Sequence, residues 1–167
     1  MKINYQLLVW GILCISVWAC QSTGKKTLES TSALSLEQKA TITDEIMQLT
    51  SDWATANIQM NADKSIRLWD DSPDLMFAEN GMFFPGRDSI YAYLKEFYTT
   101  TTSMNVEWLQ RVVVPLAPDA AVMSGKFHFK ATFESGDVYE STSMFTGVFK
   151  KKNGRWVIIH GHESFNT

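Results

Sequence analysis

Four side chains in this sequence are suited to moving a proton: Glu79, Glu163, His160 and His162. The two histidines stand two apart in Arg155-Trp156-Val157-Ile158-Ile159-His160-Gly161-His162-Glu163-Ser164. That run reads as a strand, so both imidazoles project to one side with Trp156 and Ser164. Imidazole titrates near neutral pH, and its neutral form ligates zinc. A zinc site needs a third ligand, and His128, the remaining histidine, alternates with lysines on a polar face. No metal or other cofactor is therefore expected, and a structural or subunit-interface role is the plainer reading of the two histidines than acid-base work in a pocket. Glu163 falls on the opposite side of the strand with Val157, Ile159 and Gly161. A carboxylate in so apolar a setting has a raised pKa and could bind or relay a proton, unless a nearby Lys or Arg pairs with it at the sheet end. Glu79, just before Asn80-Gly81, ends a hairpin strand, where a solvated carboxylate is the plain alternative to an acid-base role. There is no G-x-S-x-G, which argues against a covalent mechanism.

Six aromatic residues, Trp53, Trp69, Tyr91, Tyr98, Phe127 and Phe145, could line an apolar ligand pocket or simply fill the core. The elements that would position them are legible. Ser35 and Gln38 have capping-box spacing, and Ile42, Ile46, Leu49, Trp53, Ala56 and Met60 then form one helical stripe. Asn61-Ala62-Asp63 interrupts it, and a short second helix runs through Ile66, Leu68 and Trp69 to Asp70-Asp71-Ser72-Pro73. A strand from Leu75 to Glu79 turns at Asn80-Gly81 and returns through Met82-Phe83-Phe84. A third helix from Arg87 to about Tyr98 buries Ile90, Leu94 and Phe97. Long strands follow over about 104–114, 120–134, 138–150 and 155–165. In the second of these, Met123, Phe127, Phe129, Ala131 and Phe133 alternate with Ser124, Lys126, His128, Lys130 and Thr132, giving one core face and one wet face. Helices followed by an antiparallel meander predict a two-layer α+β domain.

The chain is 167 residues long, enough for one domain with a real core. Its start carries Lys2 and then an apolar run from about Leu7 to Trp18, too short for the roughly 20 residues of a spanning helix. Val17-Trp18-Ala19-Cys20 resembles a lipobox, the cleavage and acylation signal of bacterial lipoproteins. Residues 1–19 are thus expected to be a signal peptide, Cys20 the lipidated first mature residue, 20–34 a polar flexible tether and 35–167 the folded domain. The resemblance implies a cell-envelope protein anchored in a membrane through Cys20. Gln21 in place of an inner-membrane retention aspartate favours the outer membrane. Cys14 leaves with the signal and Cys20 carries lipid, so no disulfide is expected. Of 15 basic residues, loss of Lys2 leaves 14 against 18 acidic, a net charge near −4 that argues against nucleic acid as a partner.

The order of elements, with Trp53-Ala54, Pro85-Gly86-Arg87, Asp119-Ala120-Ala121 and the closing Gly154-Arg155-Trp156…His160-Gly161-His162-Glu163-Ser164, resembles the nuclear transport factor 2-like superfamily. SnoaL-like domains and the association domain of calcium/calmodulin-dependent protein kinase II are the members it most resembles, over about residues 36–165. The resemblance implies a cone-shaped, cystatin-like curved antiparallel sheet packed on three N-terminal helices, a pocket between sheet and helices, and homodimers formed through the sheet. Against the association domain, Glu163 and Gly147 stand where pocket arginines would be, so an anionic ligand is not expected. Against ketosteroid isomerases, Glu79 stands near the catalytic carboxylate and Trp53 near the phenolic tyrosine. Two functions follow as expectations. The first is an envelope lipoprotein that binds a small apolar molecule, or acts as a homodimeric module, without turnover. The alternative is a SnoaL-like or ketosteroid-isomerase-like enzyme, of isomerase or lyase type, with a pocket carboxylate moving the proton.

Overall fold

The computed structural model describes residues 33–165, so the expected signal peptide, Cys20 and most of the tether lie outside the described residues. Helix α1 spans Leu36–Ile58. Its capping box is formed: the Ser35 hydroxyl accepts from the Gln38 amide at 3.1 Å, and the Ser35 amide donates to the Gln38 side chain at 2.8 Å. Ile42, Ile46, Trp53 and Ala56 are buried, with Leu49 and Met60 packed beside them. The short α2 (Ala62–Ile66) begins at Asn61, whose side chain accepts from the Lys64 amide. Strands β1 (Met76–Glu79) and β2 (Met82–Pro85) form a hairpin across Asn80-Gly81. Both turn residues have positive φ, 47° and 81°, the conformation for which Asn-Gly is favoured. Helix α3 (Gly86–Thr100) leads into β3 (Thr101–Ala117), β4 (Ala120–Phe133), β5 (Val138–Lys152) and β6 (Arg155–Phe165). No helix among the described residues is long and apolar enough to cross a membrane.

The curved sheet has six strands in the order β2-β1-β6-β5-β4-β3. Neighbours from β3 to β6 pair antiparallel, as the meander predicts. The β1 hairpin joins the other side of β6, and there the pairing is parallel, which is a departure from the all-antiparallel expectation. It sets Phe77 against Gly161 and Glu79 against Glu163. Just ahead of β1, Leu68 and Asp70 exchange backbone hydrogen bonds with Ile158 at 2.8 and 2.9 Å, which carries Trp69 in beside β6. Gly161 makes room for it: a Cβ there would lie 2.7 Å from Trp69 Cη2.

A second departure concerns facing within β6. Phe149 pairs with Ile158 but Val148 pairs with His160, so Ile159 is an extra, bulged residue. Alternation therefore changes phase there. Trp156 and Ile158 belong to the core cluster, Gly161 and Glu163 are buried, and Val157 is buried outside that cluster. The expected grouping of Glu163 with Val157 and Ile159, and of Trp156 with the histidines, is corrected accordingly.

Inward-facing aromatics join helices to sheet. Trp53 of α1 stacks on Phe145 with ring centroids 5.7 Å apart and meets Phe127 edge-on at 6.2 Å. Phe127, Phe145 and Phe149 are almost wholly buried, each contributing about 1.5–3 kcal/mol by leaving water. From Glu45 to Ser51, α1 is held to the sheet by polar contacts as well. Lys151 Nζ donates to both Glu45 oxygens at 2.8 Å and Trp156 Nε1 to Oε2 at 2.6 Å. Arg111 donates to the Met47 carbonyl and to the Thr50 and Ser51 hydroxyls at 2.7–3.0 Å.

Candidate functional site

Beyond Ser51, α1 makes no such polar contact with the sheet. Between it, α3 and the concave sheet lies a cavity of about 260 Å³, near the small end of ligand pockets and sized for a one- or two-ring molecule. Its wall is mostly aromatic. The rest is four aliphatic side chains, two asparagines and two carboxyls, Glu79 and Glu163.

Parallel pairing of β1 with β6 produces that carboxyl pair. Residues in register on neighbouring strands share a face, so Glu79 and Glu163 project together from the sheet into the cavity. They are 8% and 6% exposed. Tyr93 donates its hydroxyl to Glu79 Oε1 at 3.1 Å, whereas Glu163 Oε1 has no hydrogen-bond partner. Burial raises the Glu79 pKa from 4.5 to about 7, with the Tyr93 hydrogen bond pulling it partly back. Glu163 is raised well above the usual carboxylate range, first by burial and then by the charge of Glu79. The pair accordingly behaves as a unit: Glu79, whose charge Tyr93 stabilises, gives up its proton more readily, and the resulting charge holds the proton on Glu163.

The surrounding donors are neutral near physiological pH. Burial raises Tyr98 to about 12, and burial together with Glu79 raises Tyr93 further, so both phenols stay protonated. Tyr98 donates to Asn57 Oδ1 at 2.6 Å, and Asn57 Nδ2 donates to the Trp53 carbonyl at 2.8 Å, a chain that fixes this corner of the wall. Trp69 lines the cavity at 3% exposure, and its indole Nε1 has no partner. The site thus holds two buried polar atoms without partners, Trp69 Nε1 and Glu163 Oε1, an arrangement that costs about 1–3 kcal/mol for each group until something hydrogen-bonds to it.

Six residues singled out from sequence meet here: Trp53, Trp69, Tyr98, Phe127, Glu79 and Glu163. Glu79 is neither a solvated hairpin end nor exposed, and Glu163 has no basic partner. Four others lie elsewhere. Tyr91 points away and donates to Asp63 at 2.7 Å, and Phe145 packs behind Trp53 rather than on the cavity surface. His160 and His162 are exposed, because they alternate with the buried Gly161 and Glu163 and so occupy the outer sheet face. Tyr93, Phe97 and Asn57 are wall residues that sequence reasoning missed. Tyr93 is three residues after Ile90 and four before Phe97, so the stripe that marked α3 already placed it inward and Tyr91 outward. Among the described residues, no three His, Cys, Asp or Glu side chains gather as metal ligands.

The SnoaL-like domain family model matches residues 46–167 of this chain. No curated protein matches the sequence. Among solved structures, one from Xanthomonas campestris described as a calcium/calmodulin dependent protein kinase II association domain is 27% identical. That likeness spans 73% of this chain and 86% of the other, with a TM-score of 0.64. A nuclear transport factor 2-like superfamily protein from Salmonella enterica serovar Typhimurium is 20% identical over 77% of this chain and 93% of its own, with a TM-score of 0.71. A ketosteroid isomerase-like protein from Erwinia carotovora is 18% identical over 74% and 95%, with a TM-score of 0.64.

Proposed function

The chain belongs to the SnoaL-like domain family, and from that premise we propose that its cavity carries out acid-base chemistry on a small, largely apolar molecule. The reaction would remove a proton from carbon and return it elsewhere, or eliminate water, as an isomerase or lyase does. One observation carries this reading: Glu79 and Glu163 stand in register, buried together in an aromatic cavity. It favours the catalytic alternative over binding without turnover, because a carboxyl near pKa 7 is ionised in useful amount at neutral pH yet still basic enough to take a proton.

Glu79 is the base in this scheme. It takes a proton from carbon beside a carbonyl, and negative charge develops on the carbonyl oxygen. Glu163, kept protonated, and the unpartnered Trp69 Nε1 are donors for that charge. Glu79 then returns its proton, so no net proton is consumed. The aromatic wall keeps water from competing. Turnover of a panel of ketones and β-hydroxy carbonyl compounds tests the scheme. For a substrate so found, kcat/KM rises with pH through about 7, and Glu79→Gln lowers it by about 10²–10⁴-fold. A Glu79→Gln protein as active as the parent removes Glu79 from the chemistry. Binding without turnover is the second reading, supported by the Tyr93 and Tyr98 hydroxyls both being engaged within the protein; tight ligand retention with no turnover across the panel would select it.

The setting is part of the proposal. Val17-Trp18-Ala19-Cys20 supports export and lipidation, with Cys20 anchored in the outer membrane. Radiolabelled palmitate in the wild type and its loss in Cys20→Ser, followed by membrane separation, tests both points. Homodimerisation through the sheet is supported by Val112, Val114 and Leu116 of β3, each more than half exposed. Sedimentation that finds only monomer at micromolar concentration would remove it.

A further inference from the structure

We infer that the molecule this cavity takes is an organic cation, a one- or two-ring compound whose polar end is a protonated amine. The inference rests on the reading that the cavity is the ligand site, and it names the class of ligand.

The first support is a contrast in how this chain treats its acids. Glu45 meets Lys151 at 2.8 Å, the buried Asp70 meets Lys152 at 2.6 Å, and Asp119 meets Lys150 at 2.7 Å. Glu79 and Glu163 are more buried than Glu45 and Asp119, with only Asp70 more enclosed, yet the residues lining their cavity include no Lys, Arg or His. Each element facing the pair contributes neutral or acidic groups only: Asn57 from α1, Tyr93 and Tyr98 from α3, Tyr139 from β5, and the two glutamates themselves from β1 and β6. A cationic ligand would bring the countercharge that no lining side chain supplies.

The second support is the wall. Trp53, Trp69, Tyr93, Phe97 and Tyr98 surround the cavity with ring faces and edges, and desolvated ammonium groups bind favourably over such faces. The third is the Glu163 carboxyl, 6% exposed, whose Oε1 has no hydrogen-bond partner. An ammonium supplies up to three donors and a full positive charge. A neutral alcohol of the same shape supplies one donor and no charge.

Calorimetric titration of the full chain with 2-(1-naphthyl)ethylamine and its isostere 2-(1-naphthyl)ethanol tests this. The amine stays protonated throughout, since alkylammonium groups titrate near pH 10. At about pH 8 the amine is expected to bind at least about tenfold tighter than the alcohol, and at about pH 5.5, where both carboxyls hold protons, the ratio falls toward one. Glu79→Gln/Glu163→Gln is expected to bring the ratio to about one at both pH values while the alcohol binds as before, which also shows that the variant is folded. Equal or weaker amine binding by the wild type at about pH 8 overturns the cation inference and leaves the cavity reading intact. So does a ratio that survives the double substitution. Failure of both compounds to bind overturns the two readings together.

Discussion

In the N-terminal half of α1, Glu45 accepts from Lys151 and Trp156, and these hydrogen bonds hold its pKa below the usual carboxylate range. Toward the other end of the same helix, Glu79 and Glu163 share a face with no cation, and burial drives both above it. The residue type is identical and a tryptophan indole is near in each case, so chemistry of the side chain does not explain the difference. Placement of lysine does. Where the sheet supplies Lys151, a glutamate becomes a stable tie between layers; where it supplies none, the glutamates become groups that exchange protons. One end of the domain is built to stay as it is, and the other to change state.

That contrast breaks most visibly under pH. Glu79 and Glu163 bind protons more tightly in the folded chain, so their contribution is fully present below about pH 4.5 and is lost as pH rises through about 7 and beyond. For Glu79, moving from 4.5 to about 7 corresponds to on the order of 3 kcal/mol. Urea unfolding should therefore show wild-type stability falling by that order between about pH 5 and pH 9, and Glu79→Gln/Glu163→Gln should flatten the decline. A flat wild-type curve would mean that the carboxyls are not held in an apolar site.

Smaller tests sharpen it. Gly161→Ala pushes a methyl against Trp69, at an expected cost of about 1–3 kcal/mol, and should weaken ligand binding through the displaced wall. Denaturant midpoints and calorimetry measure the two effects. Glu45→Gln loses a half-exposed ion pair, so screening limits the cost to at most about 1 kcal/mol at neutral pH. Its sign is opposite to that of the cavity pair: the Glu45 contribution is present above about pH 4.5 and vanishes as pH falls, so variant and wild type should converge in acid. Smallest of all, Tyr91→Phe removes a surface hydrogen bond to Asp63 outside the cavity and should leave melting temperature and ligand affinity unchanged within error.

Much of this was readable locally. The capping box at Ser35, the turn at Asn80-Gly81 and the alternation of Met123 to Phe133 each depend on residues a few positions apart, and all three formed as expected. Two features were not local. The parallel pairing of β1 with β6 joins segments from opposite ends of the domain, and nothing within Phe77-Ala78-Glu79 specifies it. The bulge at Ile159 reverses which face each later residue takes, and no Gly or Pro marks it. Glu79 and Glu163 could thus be chosen singly from sequence, but their meeting could not. Tyr93 was the exception, visible in the helical spacing and passed over for Tyr91.

The side of the sheet that receives β1 belongs to β6, which follows β3, β4 and β5 along the chain. A nascent chain on the ribosome can assemble α1 with β3, β4 and β5, since these contacts need nothing downstream. The β1 hairpin must wait, with one edge of β1 open, for β6 to follow. Without β6 the β3-β4-β5 pairing could still form, but Glu79 and Glu163 could not meet. Assembly of the carboxyl pair is thereby tied to the synthesis of β6.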